Sequence, residues 1–138
     1  MKPKTLNDFP LKSYDKIRYA DTDRQGHVNN AVFSTFFETG RAELLYGIDE
    51  SLIPPNTSYV IAALNMNYLK EIHWPGKVDI GTGILKIGNS SIKIFQQLFQ
   101  DEFLVADSET VIVQMDDNTG KSKPLTKEAK EILSGYIL

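Results

Sequence analysis

From Ser58 to Met115 the chain reads as strand after strand with almost nothing between them. Tyr59 to Ala62 form an apolar block that runs on towards Ile72, with Leu64, Met66 and Tyr68 alternating against Asn65, Asn67 and Leu69. Val78, Ile80, Thr82 and Ile84 then alternate against Asp79, Gly81, Gly83 and Leu85, and Ile92, Ile94, Gln96 and Leu98 against Lys93, Phe95, Gln97 and Phe99. A last segment extends from Phe103 to Met115. A period of two marks strands that bury one face. The breaks between them, His73-Trp74-Pro75-Gly76, Gly88-Asn89 and Asp101-Glu102, are turn sequences too short to hold crossover helices, so the sequence predicts an antiparallel meander of four strands.

One long helix precedes this sheet. Val32, Phe33, Phe36, Phe37, Gly40 and Leu44 carry helical spacing from about Asn30 to Tyr46, and with Leu45 the apolar positions nearly encircle the cylinder, which predicts a largely buried helix. Gly40 lowers its helix propensity, a cost explained by close approach of a sheet laid against it. Gly47 stands at the C-cap, and Pro54-Pro55-Asn56 stops any continuation. Ahead of the helix, Tyr14 to Ala20 reads as a short strand, and residues 1–12, with Pro3 and Pro10, as a loosely held arm. Behind the sheet, Thr126 caps a short helix through about Tyr136, within a C-terminal element of residues 126–138. A strand, a long helix and an antiparallel sheet wrapped around it make an α+β fold, and 138 residues suffice for a single domain, 1–138.

Chemistry is concentrated in Asp21-Thr22-Asp23-Arg24-Gln25-Gly26-His27-Val28-Asn29-Asn30, directly ahead of the helix. The first turn of a helix exposes amide groups that have no internal partner and favour an anion or a polarised carbonyl oxygen. A carboxylate, Asp23, beside such amides is an arrangement suited to acyl transfer, in which a base or nucleophile faces an oxyanion hole. The same residue types also serve simply as turn-formers and caps.

Other sites fail on spacing. An EF-hand loop starting at Asp21 would need a bidentate Glu where the chain has Val32. A Gly-x-Ser-x-Gly nucleophile elbow is absent from the sequence, as is a glycine-rich phosphate loop. Cysteine is lacking altogether, and His27 with two nearby Asp residues is a thin ligand set, so no metal and no cofactor is expected. His73, beside Trp74-Pro75, reads as a turn residue. A net charge of −3 gives no electrostatic footprint for nucleic acid or an anionic membrane. With no signal-like N-terminal apolar core and no apolar run long enough for a span, a cytoplasmic protein is the default.

The stretch from Ile17 through Asp21-Thr22-Asp23-Arg24-Gln25-Gly26-His27-Val28-Asn29-Asn30 to Phe36-Phe37-Glu38-Thr39-Gly40-Arg41 resembles the signature of the 4-hydroxybenzoyl-CoA thioesterase family of hotdog-fold proteins. Its His-Val-Asn-Asn element also looks like that of the related acyl-carrier-protein thioesterases, and a weaker likeness reaches Ile87-Gly88-Asn89-Ser90-Ser91. The resemblance implies a hotdog fold and a hydrolase of acyl-CoA or acyl-carrier-protein thioesters, with coenzyme A present as part of the substrate. It implies a site at a homodimer interface, between one subunit's helix start and its neighbour's sheet; whether such dimers pair into a homotetramer stays open.

By position Asp23 would be nucleophile or general base, the Asn30 backbone N–H the oxyanion donor, and His27 a residue that shapes or polarises the pocket. Gly26, Phe33, Tyr59, Ser90 and Ser91 would contact substrate, Phe37 and Met66 would add to the acyl pocket, and Lys86, Lys93, Lys121 and Lys123 are candidates for the CoA phosphates. Glu38 and Arg41, three apart on the helix, are expected to form a buried structural or interface pair. The alternative is a hotdog protein that binds acyl thioesters without cleaving them, or with other chemistry, since fold does not fix function.

Overall fold

Helical spacing after the Asn29-Asn30 pair and period-two spacing after Pro55 produce one long helix and one sheet. The computed structural model describes residues 4–138. Strand β1 (Leu11–Lys16) leads to helix α1 (Asn30–Tyr46), followed by β2 (Thr57–Tyr68), β3 (Lys77–Ile87), β4 (Ser91–Gln100), β5 (Phe103–Asp116) and helix α2 (Lys127–Ser134). All strand pairs are antiparallel, in the order β1-β3-β4-β5-β2. This is the α+β architecture expected, a sheet laid against one long helix, and it is the hotdog fold.

The meander holds for β3, β4 and β5, but β2 does not pair with β3. It crosses to the far edge and pairs with β5. Residues 69–76 make the crossing, a distance of about three strand spacings or 14 Å, well within the reach of eight extended residues. They are pinned on the way, because Val28 N–H donates to Ile72 O (2.8 Å) and Ile17 N–H to Gly76 O (2.9 Å).

Helix α1 buries Phe33, Phe36, Phe37, Gly40, Arg41, Leu44 and Leu45, and exposes Ala31, Thr35, Glu38, Glu43 and Tyr46. It is therefore covered on one face rather than all round. Two apolar clusters meet along that face. Phe33, Phe36 and Phe37 pack with Ile17, Ile72, Val78, Ile80, Leu98 and Val105 near the helix start. Leu44 and Leu45 pack with Ile84, Ile92, Ile94, Ile112 and Leu133 near its end.

Glu38 and Arg41 do not form the expected buried pair. Glu38 is exposed, while the buried Arg41 donates through Nη1 to Gln96 Oε1 (3.4 Å) on β4. Burial holds the Arg41 guanidinium below its ordinary pKa, partly offset by the charge of Glu38.

The first strand lies earlier than its alternation suggests, at Leu11–Lys16 rather than Tyr14 to Ala20. Asp21 explains the shift: its carboxylate accepts from Arg18 N (2.8 Å) and pairs with the Arg18 guanidinium (2.9 Å), folding Tyr19–Asp21 into a 3-10 turn. The expected loose arm is largely fixed as well. Phe9 is buried and stacks on Phe95 at a centroid distance of 6.0 Å, and Leu11 and Lys12 already belong to β1; the start of the arm, 1–3, lies outside the described residues. No helix among the described residues is long and apolar enough to cross a membrane.

Candidate active site

The loop ahead of α1 is held as a small ladder. Thr22 bridges to Val28 and His27 to His73, both antiparallel. The two aspartates of the loop take different parts within it. Asp21 is buried, tied to Arg18 and, through its carbonyl, to Asn29 N–H (2.8 Å). Asp23 is exposed, and its Oδ1 accepts from Gln25 N–H (2.8 Å) and His27 N–H (3.2 Å). Its Oδ2 accepts no hydrogen bond from the described residues, so one carboxylate oxygen is anchored and the other is available.

Asn29 is the N-cap of α1: its Oδ1 accepts from Ala31 N–H (3.0 Å) and its backbone O from Val32 N–H (2.9 Å). The cap thereby leaves over the N–H of Asn30, the first helical residue, which has no acceptor among the described residues. Replacing Asn29 by Ala removes the side-chain half of this cap, and a loss of about 1 kcal/mol in denaturant unfolding is expected.

Asp23 and Asn30 line one groove of about 400 Å³ together with Gln25, His27, Val28, Phe33, Tyr68, Leu69, Lys70 and Glu71. Phe33 forms its apolar floor, buried and edge-on to Tyr68 at 5.0 Å, and Tyr68 Oη donates to Asn30 O (3.2 Å). Gly26 shapes the loop beside the groove. Its φ of +78° turns the loop between Asp23 and His27, at a value that L side chains rarely adopt.

The remaining expected residues lie elsewhere in the same chain. Phe37 is in the core, and Met66 packs against the cluster around it. Tyr59 is half-buried beside the far end of α1 and donates to Leu52 O, with burial first and the neighbouring Tyr46 second pushing its phenol up to about 12. Ser90 and Ser91 sit at the β3–β4 turn. Ser91 is in register with Val113 of β5, whereas Tyr68 is in register with Ala106. The length of β5 between those two positions, about 23 Å at about 3.3 Å per residue, separates the serines from the groove. Lys93 shares the serines' end and pairs with Glu109 (3.5 Å).

Three residues of the neighbourhood escaped the sequence reading. Tyr68 looked like one more alternating strand residue. Glu71 carries no signal and His73 reads as a turn residue, because only the pairing of 26–28 with 72–74 brings them to His27. His27 Nε2 lies 3.2 Å, and His73 Nε2 3.8 Å, from Glu71 Oε2. The thin ligand set around His27 thus gains two members that no local spacing could reveal.

A family model described as the thioesterase-like superfamily matches residues 17–133, which hold the loop, the groove, α1 and strands β2 to β5. The chain belongs to the thioesterase-like superfamily. The loop-to-helix site is the densest chemical cluster within the matched span. The chain is similar to the acyl-CoA thioester hydrolase YbgC of Escherichia coli O6:H1, 25% identical over 127 residues, covering 89% of this chain and 92% of the relative. A thioesterase from Thermus thermophilus, solved in complex with coenzyme A and Zn, superimposes with a TM-score of 0.80 at 27% identity, covering 93% of this chain and 95% of that one. A protein from Bacillus stearothermophilus described as a predicted thioesterase shares the fold, with a TM-score of 0.83 at 24% identity over 93% of this chain and 96% of that one.

Proposed function

We propose that this superfamily member hydrolyses acyl-CoA thioesters in the Asp23 groove. Asp23 acts as nucleophile or as general base for water, and the Asn30 N–H receives the oxyanion. The observation that carries the reading is the sharing of one groove by a carboxylate with a free oxygen and a helix-start amide with no acceptor. A thiol leaving group departs with little acid assistance, its pKa lying near that of free cysteine at about 8.5. That removes the need for a strong general acid. Single turnover in ¹⁸O-water tests for the nucleophile, because label enters the Asp23 carboxylate only through an aspartyl anhydride that water opens at the aspartyl carbonyl, a species a general base never forms.

The catalytic unit is a homodimer. Strand β2 is a free edge of twelve residues with no charge, exposing Val60, Ile61 and Leu64, and such an edge invites pairing. Strand β1 at the other edge is half as long and carries Lys12, Asp15 and Lys16, which protects it. Antiparallel pairing of two β2 strands about their midpoint sets the Thr57 end of one against the Tyr68 end of the other. The partner subunit's Tyr59, Ser90 and Ser91 are thereby carried towards this chain's groove. Leu64→Lys, which places a charge on that edge, is expected to shift sedimentation from dimer to monomer and to lower thioester turnover at least tenfold.

The test of function is release of free thiol from a panel of acyl-CoAs, from short aliphatic to aromatic. Release that depends on Asp23 supports the reading. Tight binding without release from any member would instead favour a hotdog protein that holds thioesters without cleaving them.

A further inference from the structure

We infer that His27, Glu71 and His73 form a binding site for a divalent transition-metal ion of the zinc class at the rim of the Asp23 groove. One ligand atom from each of the three lies within 4.8 Å of the others. A tetrahedral centre with bonds of about 2.05 Å sets its ligand atoms about 3.3 Å apart. The two separations from Glu71 Oε2, 3.2 Å to His27 Nε2 and 3.8 Å to His73 Nε2, already approach that figure. The imidazoles stand nearly perpendicular, at 86° with centroids 4.7 Å apart, so that both can turn a ring nitrogen towards one point. Two imidazoles and a carboxylate are the donor set of an open three-ligand zinc site, with the fourth position left to water.

The backbone holds these ligands in place before any ion arrives. His27 and His73 face each other across an antiparallel bridge. His27 is fixed by Asp23, whose N–H donates to His27 O (2.8 Å) and whose Oδ1 accepts from His27 N–H. His73 is clamped by the Gln100 amide, which accepts from His73 N–H (3.0 Å) and donates to His73 O (2.7 Å). Glu71 stands one residue from the fully buried Ile72. The neighbouring cation does not compete for the carboxylate, since Lys70 Nζ sits over the Phe103 ring, 4.8 Å from its centroid. Among the described residues the ion-pair partners of Glu71 are the two imidazoles. A bound ion joins the loop ahead of α1 to the β2–β3 connection and brings positive charge to the groove's edge.

The site is independent of the hydrolysis proposed above, and it is tested without substrate. Tag-free protein stripped with chelator is titrated with Co²⁺ and then with Zn²⁺. Trp74, the single tryptophan of the chain, is adjacent to His73 and reports occupancy by quenching. Expected are saturation at one ion per chain, intense visible Co²⁺ bands of low coordination number that Zn²⁺ abolishes, and a rise in Tm with Zn²⁺. His73→Ala and Glu71→Gln change side chains that are 60% and 62% exposed, so both variants are expected to fold. Each should weaken binding by at least about tenfold, the scale on which metal-site partners act, while Lys70→Ala leaves it intact. The inference is overturned if Co²⁺ fails to saturate, or if saturable binding survives both His73→Ala and Glu71→Gln unchanged.

Discussion

Asp23→Asn is expected to fold like the wild type and to lower kcat for thioester hydrolysis about a thousandfold, with KM little altered. The substitution is selective because the two oxygens of the carboxylate do separate jobs. Oδ1 accepts the Gln25 and His27 amide bonds that shape the loop, and an asparagine Oδ1 accepts them equally well. What the amide cannot do is take a proton from water or attack a carbonyl. The Asn30 N–H and the Phe33 floor remain, so on the proposed mechanism the variant should still bind substrate and polarise its carbonyl. Residual activity above the uncatalysed rate is therefore expected as well. The measurement is free-thiol release, which this chain suits because it has no cysteine to contribute background. A variant retaining activity within tenfold of the wild type would remove Asp23 from the chemistry, and an unfolded variant would show at once in its circular dichroism.

The site was legible where its signal is local. The start of α1 falls where Asn29-Asn30 puts it, because the cap is made by the Asn29 side chain itself and needs nothing distant. Strand β4 runs from Ser91 to Gln100 as its alternation and flanking turns indicate, with Asp101 and Glu102 at positive φ turning the chain into β5. Legibility ends where a long-range contact decides. Nothing in the spacing of 58–72 distinguishes a strand that turns back beside β3 from one that crosses to β5. The choice is made by α1, which occupies the sheet face, and by the anchoring of Ile72 and Gly76 on the loop ahead of that helix. Glu71 and His73 acquire their relation to His27 through the same crossing. Tyr59 and the two serines enter through resemblance, and one chain keeps them far from Asp23; the β2 pairing proposed above is what would bring a partner's copies to the groove.

Gly40→Ala is expected to destabilise the fold by roughly 2–4 kcal/mol, although alanine is the better helix former by about 1 kcal/mol. A Cβ at residue 40 would lie 2.5 Å from Gln96 Nε2, 2.6 Å from Thr82 Oγ1 and 2.8 Å from Ile80 Cγ2. None of these can retreat cheaply, because Gln96 and Thr82 are fully buried and bonded. Gln96 Nε2 donates to Phe37 O and to Thr82 Oγ1, both at 3.0 Å, while its Oε1 accepts from Arg41. Displacing the Gln96 amide strands a helix carbonyl and a buried guanidinium in one step, and each unsatisfied group adds about 1–3 kcal/mol. The alternative, lifting α1 off the sheet, opens the packing of Phe36 and Phe37 instead. Thermal unfolding should fall by roughly 10 °C for a domain of this size. A double-mutant cycle identifies the cause. In a Gln96→Ala background the shortest of the three contacts is gone and Thr82 is released from its bond to Gln96, so the penalty of Gly40→Ala should shrink by about 1 kcal/mol or more. An unchanged penalty would trace the loss to Thr82, Ile80 and the helix-to-sheet distance. A stabilised Gly40→Ala would mean that the helix can rise without cost, and with it the Asn30 amide at its start.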